Sequence, residues 1–591
     1  MSKLIPVALR ETSQHELPVS KATSPATYDI YPTHPLGDGL IFEGYDTLAA
    51  ALASYHCIRI EGYVGIRFDQ VKDRLTAAFT KQGVVPTWVQ VERALKPEVC
   101  IDALIAPYLG GDDPIFGRVA HALALQDFFE QDQLDSLAAD RADGPVIYYG
   151  IGASLVPVEG KLVFFEISKN EIQFRSRAGA VRNLGASQAD DPKTMYKRFY
   201  FVDWIVLNKH KNALKNDIDF LVDGQRTEEI TWMRGDAWRE SIKRIVTSPI
   251  RVRPWFEPGA WGGQWIKNNI EGLEEDVVNY AWSFELIVPE NGILLESAGL
   301  MLEHSFDFLM FHAGDAILGK DFSTYRYEFP IRFDFLDTFD GGNLSVQCHP
   351  HQAYIHQHFG EKITQEETYY ILDCKDEAEV YLGFQEGITP AVFKEALETS
   401  QREKQELDIK QFIQTFKSHK HDLFLIPPGT IHSSGKDNLV LEISATPYIY
   451  TFKMYDWLRL DLEGNPRPLN IERGMENLVF ERSGTRVASE LIAKPHLVER
   501  TPEWELQHLA THPAHLYDVH RFYLKTEVQV RTHNQAHVLS LVEGQKIAVV
   551  TKNGTTTFSY AETFIIPAAT EVYTLKNLSK DPVLVVKAFS K

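Results

Sequence analysis

Cysteine is scarce in this sequence, which argues against a fold that depends on disulfide bonds. Only four cysteines, Cys57, Cys100, Cys348 and Cys374, occur among 591 residues, and no two of them form a Cys-x-x-Cys pair. Disulfide frameworks are typical of short secreted chains that are rich in cysteine. We therefore expect a cytoplasmic protein.

Long apolar segments are missing as well. The N-terminal stretch "MSKLIPVALRETSQHEL" has neither the continuous apolar region nor the small-residue cleavage site of a signal peptide. No apolar run reaches the roughly 20 residues that a membrane-spanning helix requires. The sequence thus predicts a protein that does not span a membrane.

Positive charge is in deficit. Lysine and arginine number 60 against 81 aspartates and glutamates, which gives a formal net charge of -21. This balance argues against a general partner of nucleic acids or anionic membranes, because both polyanions would be repelled. A small anionic substrate stays compatible, since it responds to a local pocket. The oligomeric state is left open.

The chain is long and apolar enough for several domains. Its hydrophobic fraction is 44% and its aromatic fraction 12%, so large cores can be buried. From residue 55, "YHCIRIEGYVGIRFDQVKDRLTAAF" predicts a strand, a glycine-containing turn and an amphipathic helix. Two buried strands follow in 144–156 and 160–168, and "DPIFGRVAHALALQDFFEQ" (113–131) favours helix. Alternating strands and helices indicate an α/β domain with a mostly parallel sheet.

The turn in this first unit lacks the residues of a working phosphate-binding loop. A P-loop has the pattern GxxxxGK[ST], in which the lysine neutralises charge and the hydroxyl holds magnesium. In "EGYVGIRFDQ" Gly62 and Gly65 are present, but no lysine follows them, and Arg67 supplies only charge. Residues 1–245 nevertheless resemble a degenerate nucleoside-kinase-like domain of the uridine-kinase type. We expect a retained scaffold rather than an active kinase.

From about residue 250 the sequence favours β-structure. Short apolar segments such as "YAWSFELIV", "TYYILDC", "EVYLGF" and "NLVLEIS" are separated by turn residues, which is typical of a jelly roll or cupin barrel. A charged stretch, 390–418, predicts a solvated helical insertion. We therefore expect multidomain α/β plus β architecture, with a cupin domain in 246–480 and a smaller jelly roll in 481–591.

A histidine-rich segment, "NLSVQCHPHQAYIHQHFG", contains the first candidate metal ligands. Alternate residues of a strand share a face, so Gln347 and His349 point the same way and Cys348 points away. A metal site needs further nitrogen or oxygen ligands from other strands. Glu367 in "TQEETYYILDC" and His432 in "LIPPGTIHSSG" are the candidates. The remaining histidines of the segment are expected at the surface or the rim of a pocket (His351, His356 and His358).

At this point the chain resembles a known family. "FPIRFDFLD", "NLSVQCHP", "EETYYILDC", "LFLIPPGTIH", "LVLEIS", "KMYDW" and "WGGQW" are together similar to class I mannose-6-phosphate isomerases of the bacterial short-chain kind. The resemblance covers roughly residues 250–591. It implies an aldose–ketose isomerase with one zinc ion per chain, held by Gln347, His349, Glu367 and His432, although another divalent metal could occupy such a site. It also implies a sugar phosphate as the small-molecule partner.

Isomerisation moves a proton between C1 and C2 through a cis-enediol, which requires a base and a cation near the metal. Glu442 is the candidate base, with a structural carboxylate as the alternative. Lys453 occupies the place of the family's arginine and retains its charge without the bidentate fork.

The family's lysine in the "FP" motif falls on Asp334, so a cation has become an anion. Arg332, two positions earlier, is a candidate for compensating it and binding substrate, and Ser345 is a possible phosphate donor. The leading hypothesis is interconversion of mannose 6-phosphate and fructose 6-phosphate. The alternatives are an isomerase of a different sugar or sugar phosphate, and a metal-bearing sensor without turnover.

Overall fold

The computed structural model describes residues 10, 16–21, 27–111, 113–138, 144–445, 447–462 and 464–591. They form two compact units. Unit 1 comprises Tyr31–Ile245 and Pro289–Ala313 with the described residues up to position 21. Unit 2 comprises Val246–Val288 and Gly314–Lys591 with residues 27–30. The predicted division into three domains stays a prediction. None of the helices in these ranges is long and apolar enough to cross a membrane.

Residues 33–245 alternate strands and helices. The strands are β1 (Thr33–Pro35), β2 (Phe42–Glu43), β3 (Cys57–Gly62), β4 (Thr87–Gln90), β5 (Val146–Tyr149), β6 (Lys161–Glu166), β7 (Phe220–Asp223) and β8 (Thr231–Arg234). The helices are α1 (Tyr45–Leu52), α2 (Phe68–Lys81), α3 (Glu98–Ile105), α4 (Gln131–Leu137), α5 (Lys169–Arg177), α6 (Pro192–Arg198), α7 (Trp204–Leu214) and α8 (Gly235–Ile245). Residues 246–330 add β9 (Trp255–Glu257), β10 (Trp282–Leu286), β11 (Gly292–Ser297), β12 (Leu300–Ser305), α9 (Trp265–Asn269), α10 (Phe306–Leu318) and α11 (Phe322–Tyr325).

Unit 1 is built on a seven-stranded sheet with the order β2-β8-β7-β6-β3-β5-β4. The strands from β7 to β4 are parallel, and β8 is antiparallel to β7. Strand β6 is apolar almost throughout, as expected for a parallel strand that is covered on both faces. A second sheet, β1-β11-β12, pairs the N-terminal strand with the segment from Pro289–Ala313. The predicted α/β fold is confirmed.

The helix predicted over 113–131 is wrong. This stretch contains only a 3₁₀ turn, Leu125–Phe128, and α4 begins at Gln131. Gly117 explains the difference, because a Cβ atom there would lie 2.3 Å from the carbonyl oxygen of Tyr108. The backbone at Gly117 therefore packs directly against the backbone at Tyr108. A regular helix would surround this backbone with side chains and prevent the contact.

Unit 2 is dominated by strands. Residues 331–480 contain β13 (Ile331–Asp337), β14 (Val346–Cys348), β15 (Glu367–Cys374), β16 (Glu379–Phe384), β17 (Ile413–Lys417), β18 (Leu423–Ile426), β19 (His432–Ser434), β20 (Asn438–Ala445), β21 (Phe452–Tyr455), α12 (Gln352–Phe359), α13 (Pro390–Glu403) and α14 (Ile471–Met475). Residues 481–591 contain α15 (Thr485–Glu490), β22 (His496–Arg500), β23 (Trp504–His508), β24 (Tyr517–Leu524), β25 (Glu527–Arg531), β26 (His537–Glu543), β27 (Lys546–Thr551), β28 (Gly554–Ser559), β29 (Thr563–Ile566), β30 (Val572–Asn577) and β31 (Val583–Ser590).

These strands form two sandwiches. In the first sandwich, the sheets β18-β15-β20-β13-β10-β9 and β17-β16-β19-β14-β21 share one apolar core, to which Tyr369, Val440 and Leu382 belong. In the second sandwich, the sheets β22-β23-β24-β31-β26-β29 and β25-β30-β27-β28 enclose another core. The predicted change from α/β to β is confirmed.

The helical insertion is shorter than the predicted range 390–418. Helix α13 ends at Glu403, and Ile413–Lys417 is an edge strand paired with β16. The sequence "IQTFK" is rich in β-branched and aromatic residues, which favours a strand. The many charged residues between 390 and 412 favoured a helix for the whole range and so hid the preference of this short segment for a strand.

Candidate metal centre

The first sandwich aligns three predicted site residues in one row. Gln347 of β14 lies directly opposite His432 of β19 on one side and Lys453 of β21 on the other. Residues directly opposed on neighbouring strands present their side chains to the same face of the sheet. Cys348, one position further, is fully buried on the other face, where its Sγ contacts the carbonyl oxygen of Gly474 at 3.9 Å.

Three buried side chains from the two sheets converge on one point. The Nε2 atom of His349 lies 3.0 Å from Oε1 of Glu367, and Nε2 of His432 lies 3.4 Å from Oε2 of the same carboxylate. One ligand atom from each of the three residues lies within 4.8 Å of the others. Separations of roughly 3.0–3.5 Å are those of neighbouring ligands on a tetrahedral zinc ion.

The histidine rings are oriented by backbone carbonyls. Nδ1 of His349 lies 3.1 Å from the carbonyl oxygen of Tyr450, and Nδ1 of His432 lies 2.9 Å from that of Thr430. A carbonyl only accepts hydrogen bonds, so each Nδ1 carries the proton and each Nε2 presents a lone pair to the centre. Both rings are thus held in the tautomer that binds a metal.

Unpartnered atoms indicate that this centre fits a cation. Nε2 of His349 and Oε2 of Glu367 are buried without a hydrogen-bond partner. Leaving such atoms unpaired costs free energy, and a divalent ion would satisfy them together. Burial would raise the pKa of Glu367, but the nearby His349 and His432 outweigh it and hold this pKa well below its usual value. Burial lowers the pKa of His432, which favours its neutral form.

The amide of Gln347 borders the same point. Its Nε2 lies 3.4 Å from Nε2 of His432, and its Oε1 accepts a hydrogen bond from Oγ of Ser345 at 2.9 Å. The two ends of an amide are assigned from their hydrogen bonds. Coordination by Gln347 would require the amide turned over, with its nitrogen toward Ser345.

A tight turn places His432. Thr430 N–H donates to the carbonyl oxygen of Pro427 at 3.1 Å, and Gly429 between them has φ 80°. Proline at the second position and glycine with positive φ at the third define a type II turn. Gly429 N–H also donates to the carbonyl oxygen of His349 at 2.9 Å, so this turn ties the two histidine segments together.

Arg332 is surrounded by carboxylates. It pairs with Asp334 at 3.3 Å, with Glu367 at 3.6 Å and with Glu442, and its Nε donates to Oγ of Ser444 at 2.8 Å. All of these side chains are buried. Burial raises the pKa of Asp334 to about 6, against the effect of Arg332. The guanidinium therefore balances charge inside the first sandwich and holds Glu442 in place.

The two candidate catalytic groups lie on the same inner surface. Glu442 of β20 lies opposite Asp334 of β13 and Tyr369 of β15. Burial, together with the charges of Asp334 and Glu367, raises the pKa of Glu442 well above its usual value. Lys453 is half-buried in the row with Gln347.

The other histidines of the histidine-rich segment lie apart from this group. His351 precedes α12, whose exposed residues include His356 and His358. The ring of His358 stacks on Tyr354 with centroids 4.1 Å apart. None of the three belongs to the cluster of potential ligands found in the described residues.

One residue of the site was missed from the sequence. Gln365 donates from Nε2 to Oε1 of Glu367 at 2.7 Å, and its Oε1 accepts from Tyr450 N–H at 3.0 Å. It therefore orients the central carboxylate. Its signal was available, because it precedes Glu367 by two positions and so shares its face.

In unit 1, the hydrogen-bond donors at the end of β3 are occupied by a carboxylate. Oε1 of Glu61 accepts from the N–H groups of Gly62 and Gly152 at 3.1 and 2.9 Å. Oε2 accepts from N–H and Oγ of Ser154 at 3.1 and 2.8 Å and lies 3.1 Å from Nε2 of His210. Such backbone donors at the carboxyl end of a parallel strand are suited to an anion. Here the protein supplies the anion itself.

Comparisons with known proteins match parts of the chain. A family model described as a domain of unknown function, DUF8485, matches residues 44–247. The chain is 28% identical over 232 residues to the mannose-6-phosphate isomerase ManA of Bacillus subtilis, covering 39% of this chain and 68% of that protein. It is 28% identical over 305 residues to the mannose-6-phosphate isomerase of Streptococcus mutans, covering 51% of this chain and 86% of that protein.

A solved structure of mannose 6-phosphate isomerase from Bacillus subtilis aligns with a TM-score of 0.48 at 19% identity, covering 58% of this chain and 99% of that chain. A putative mannosephosphate isomerase from Archaeoglobus fulgidus aligns with a TM-score of 0.44 at 19% identity, covering 58% and 97%. The chain is thus similar in sequence to curated mannose-6-phosphate isomerases over as much as 51% of its length.

Proposed function

We propose that the chain is a metal-dependent aldose–ketose isomerase that interconverts mannose 6-phosphate and fructose 6-phosphate. The observation that carries the proposal is the convergence of His349, Glu367 and His432 on one buried point with unpartnered ligand atoms. The names of the curated relatives support the reaction. We infer a cupin-type site, with zinc held by these three residues and Gln347.

The inner surface of the first sandwich supplies the groups that the reaction needs. A bound divalent cation would act as a Lewis acid toward the sugar oxygens. Glu442 would take the proton from C2 of the aldose and return it to C1, so that the reaction consumes no external oxidant or reductant. Arg332 would hold this carboxylate, and the ammonium of Lys453 would stabilise negative charge on the enediolate oxygen.

The substrate's phosphate leads to a second candidate function. Arg332 and Ser345 are the proposed substrate-binding residues, yet Arg332 is paired with three carboxylates and Ser345 with Gln347. A guanidinium already neutralised by the protein contributes little to binding a phosphate dianion. This arrangement favours, as the second candidate, the same proton transfer on a different sugar or sugar phosphate.

For the N-terminal region we propose a nucleoside-kinase-like domain that has lost phosphoryl transfer, in a cytoplasmic protein. Its support is the parallel sheet, the glycine-containing turn after β3 and the carboxylate of Glu61 among the backbone donors. The donors at the end of β3 already bind Glu61, so they are not available to a phosphate. Transfer of phosphate from ATP to a sugar or nucleoside would contradict the proposal.

The test is an isomerase assay on the purified chain, with and without a chelator, together with metal analysis. We expect about one zinc per chain and turnover of mannose 6-phosphate that falls on chelation and returns with metal. A panel of phosphorylated and free aldoses separates the two candidates, because preference for an unphosphorylated sugar would support the second. Metal and sugar-phosphate binding without any turnover would refute both and indicate a sensor.

A further inference from the structure

The second sandwich has a row of ionisable side chains that plays no part in the proposed isomerase site. His496, His508, His520 and Lys587 occupy directly opposed positions on β22, β23, β24 and β31. Directly opposed side chains share a face and lie close together. We call these four residues, with Asp518, the barrel-end cluster.

The barrel-end cluster lies on the inner face of its sheet. Lys587 lies two positions from Val585, and His520 lies two positions from Phe522, so each pair shares a face of its strand. Val585 and Phe522 belong to the core of the second sandwich. The Nζ atom of Lys587 lies 5.8 Å from the ring centroid of Phe522 and 4.6 Å from that of Phe589. Polar side chains thus continue the inner surface beyond the apolar core.

Two members of the cluster, His508 and Asp518, already have hydrogen-bond partners. Nε2 of His508 lies 2.7 Å from Oδ2 of Asp518, and its Nδ1 lies 3.2 Å from Nε2 of His496. The carboxylate of Asp518 also accepts from the N–H groups of Thr511 and Val519. It is therefore engaged by other donors.

Two nitrogen atoms of the cluster have no such partner. Nδ1 of His520 is buried without a hydrogen bond. Lys587 is 8% exposed, and among the described residues its ammonium makes no hydrogen bond or ion pair, only the two aromatic contacts. These two residues are directly opposed in register. Donors on opposed residues can contact the oxygens of one bound group.

A buried ammonium without an anion is costly. Contact with an aromatic ring recovers only part of this cost. Burial lowers the pKa of Lys587 to about 8, although the negative charge of Asp518 opposes this shift, so the amine is still mostly charged at neutral pH. The interaction that is missing is therefore a direct contact between this ammonium and an anion.

We propose that the barrel-end cluster binds the oxyanion group, phosphate or carboxylate, of a small molecule, with Nζ of Lys587 and Nδ1 of His520 as the donors. Solvent reaches the row from its edge, since the side chains of His508 and Asp518 are 24% and 18% exposed. This site is separate from the metal centre and does not depend on the isomerase proposal.

Competitive acetylation of the full chain tests the proposal without an activity assay. The rate of acetylation of Lys587 is followed by peptide mass spectrometry across pH, in phosphate, acetate or chloride of equal ionic strength. In chloride we expect a midpoint at about 8. A bound oxyanion should slow labelling at least about tenfold and raise the midpoint, because a charge-assisted hydrogen bond stabilises the ammonium.

The exposed Lys576 of β30 is the internal control, and its rate should be the same in all three buffers. Slowing by phosphate alone identifies a phosphate group as the ligand chemistry, and slowing by acetate identifies a carboxylate. H520N should reduce the protection of Lys587 while leaving its labelling in chloride unchanged. Equal labelling of Lys587 in all three buffers, or equal protection of Lys576, would overturn the proposal.

Discussion

Two buried carboxylates, one in each unit, differ in what surrounds them. Glu61 accepts hydrogen bonds from three backbone N–H groups and one hydroxyl. Glu367 lies between His349 and His432, with one oxygen atom buried and unpartnered. Both carboxylates have a lowered pKa in spite of burial. The first is satisfied by the protein, whereas the second requires something that the protein does not supply.

The difference between the two carboxylates indicates where a ligand binds. Native structures pair their buried polar groups, so an unpaired group signals a bound ion, water or substrate. By this criterion we expect a structural role for the carboxylate at the end of β3 and a bound ligand at the centre of the first sandwich. Substitutions around the two carboxylates test this distinction.

Removal of a histidine should have the largest effect. His349→Ala or His432→Ala each deletes a nitrogen ligand, so zinc content and isomerase activity should both fall by at least about a hundredfold. Elemental analysis and turnover of mannose 6-phosphate measure the two losses. His351→Ala is the matched control, and it should keep both. Full metal content in both ligand variants would refute the assignment.

Lys453→Ala should separate metal binding from turnover. Lys453 shares a row with Gln347 and His432 but cannot serve as a metal ligand while protonated. We expect zinc content to stay unchanged and kcat to fall about 10²–10³-fold, the usual cost of losing one group that stabilises developing charge. Lys453→Arg should recover part of the rate. If Lys453→Ala loses metal instead, its role is structural.

A smaller effect is expected at the turn that positions His432. Gly429→Ala would strain a backbone with φ 80° and bring Cβ within 2.4 Å of the carbonyl oxygen of Asn477. Metal affinity should fall about tenfold because the ligand moves. Gly387→Ala is the control, since Gly387 has φ 77° and open space around it. Equal affinities in the two variants would show that close approach at Gly429 is unimportant.

The convergence of His349, Glu367 and His432 could be predicted from the sequence because its signals are local. Alternation along β14 and the residue after it places Gln347 and His349 on one face and Cys348 on the other. The Pro-Pro-Gly turn predicts the start of the strand that contains His432. The same local rules predicted the glycine turn after β3. Each of these inferences depends on neighbours within a few positions.

The surroundings of these residues could not be predicted, because they depend on distant pairing. The pair of Arg332 and Glu442 joins residues 110 positions apart, and the register of β13 against β20 decides it. Strand β1 pairs with β11, where Thr33 lies opposite Leu294, so a segment that lies in the sequence between two stretches of unit 2 completes unit 1. The helix expected over 113–131 failed for the same reason, a tertiary contact at Gly117.

Glu61→Gln should have the smallest effect, and it tests the structural side of the comparison. The amide of glutamine keeps one acceptor oxygen, but its NH₂ group replaces the other oxygen. This NH₂ group would face the N–H group of Ser154 or of Gly152, and two donors cannot form a hydrogen bond with each other. Unit 1 should lose about 1–3 kcal/mol of stability, measured by hydrogen exchange of the β3 amides. Isomerase activity and zinc content should not change.

The pH dependence distinguishes this role from a general loss of packing. The hydrogen-bond donors and His210 lower the pKa of Glu61 although burial opposes them. A carboxylate with a lowered pKa stabilises the fold above its unfolded value of about 4.3 and loses that contribution as the pH falls through the folded value. The difference between the wild type and Glu61→Gln should therefore be full at pH 7 and shrink below about pH 4. Glu92→Gln, whose partner Arg182 is 48% exposed, should change stability little at either pH. A stability difference between the wild type and Glu61→Gln that persists in acid would mean that the shape of the side chain, rather than its negative charge, stabilises this region.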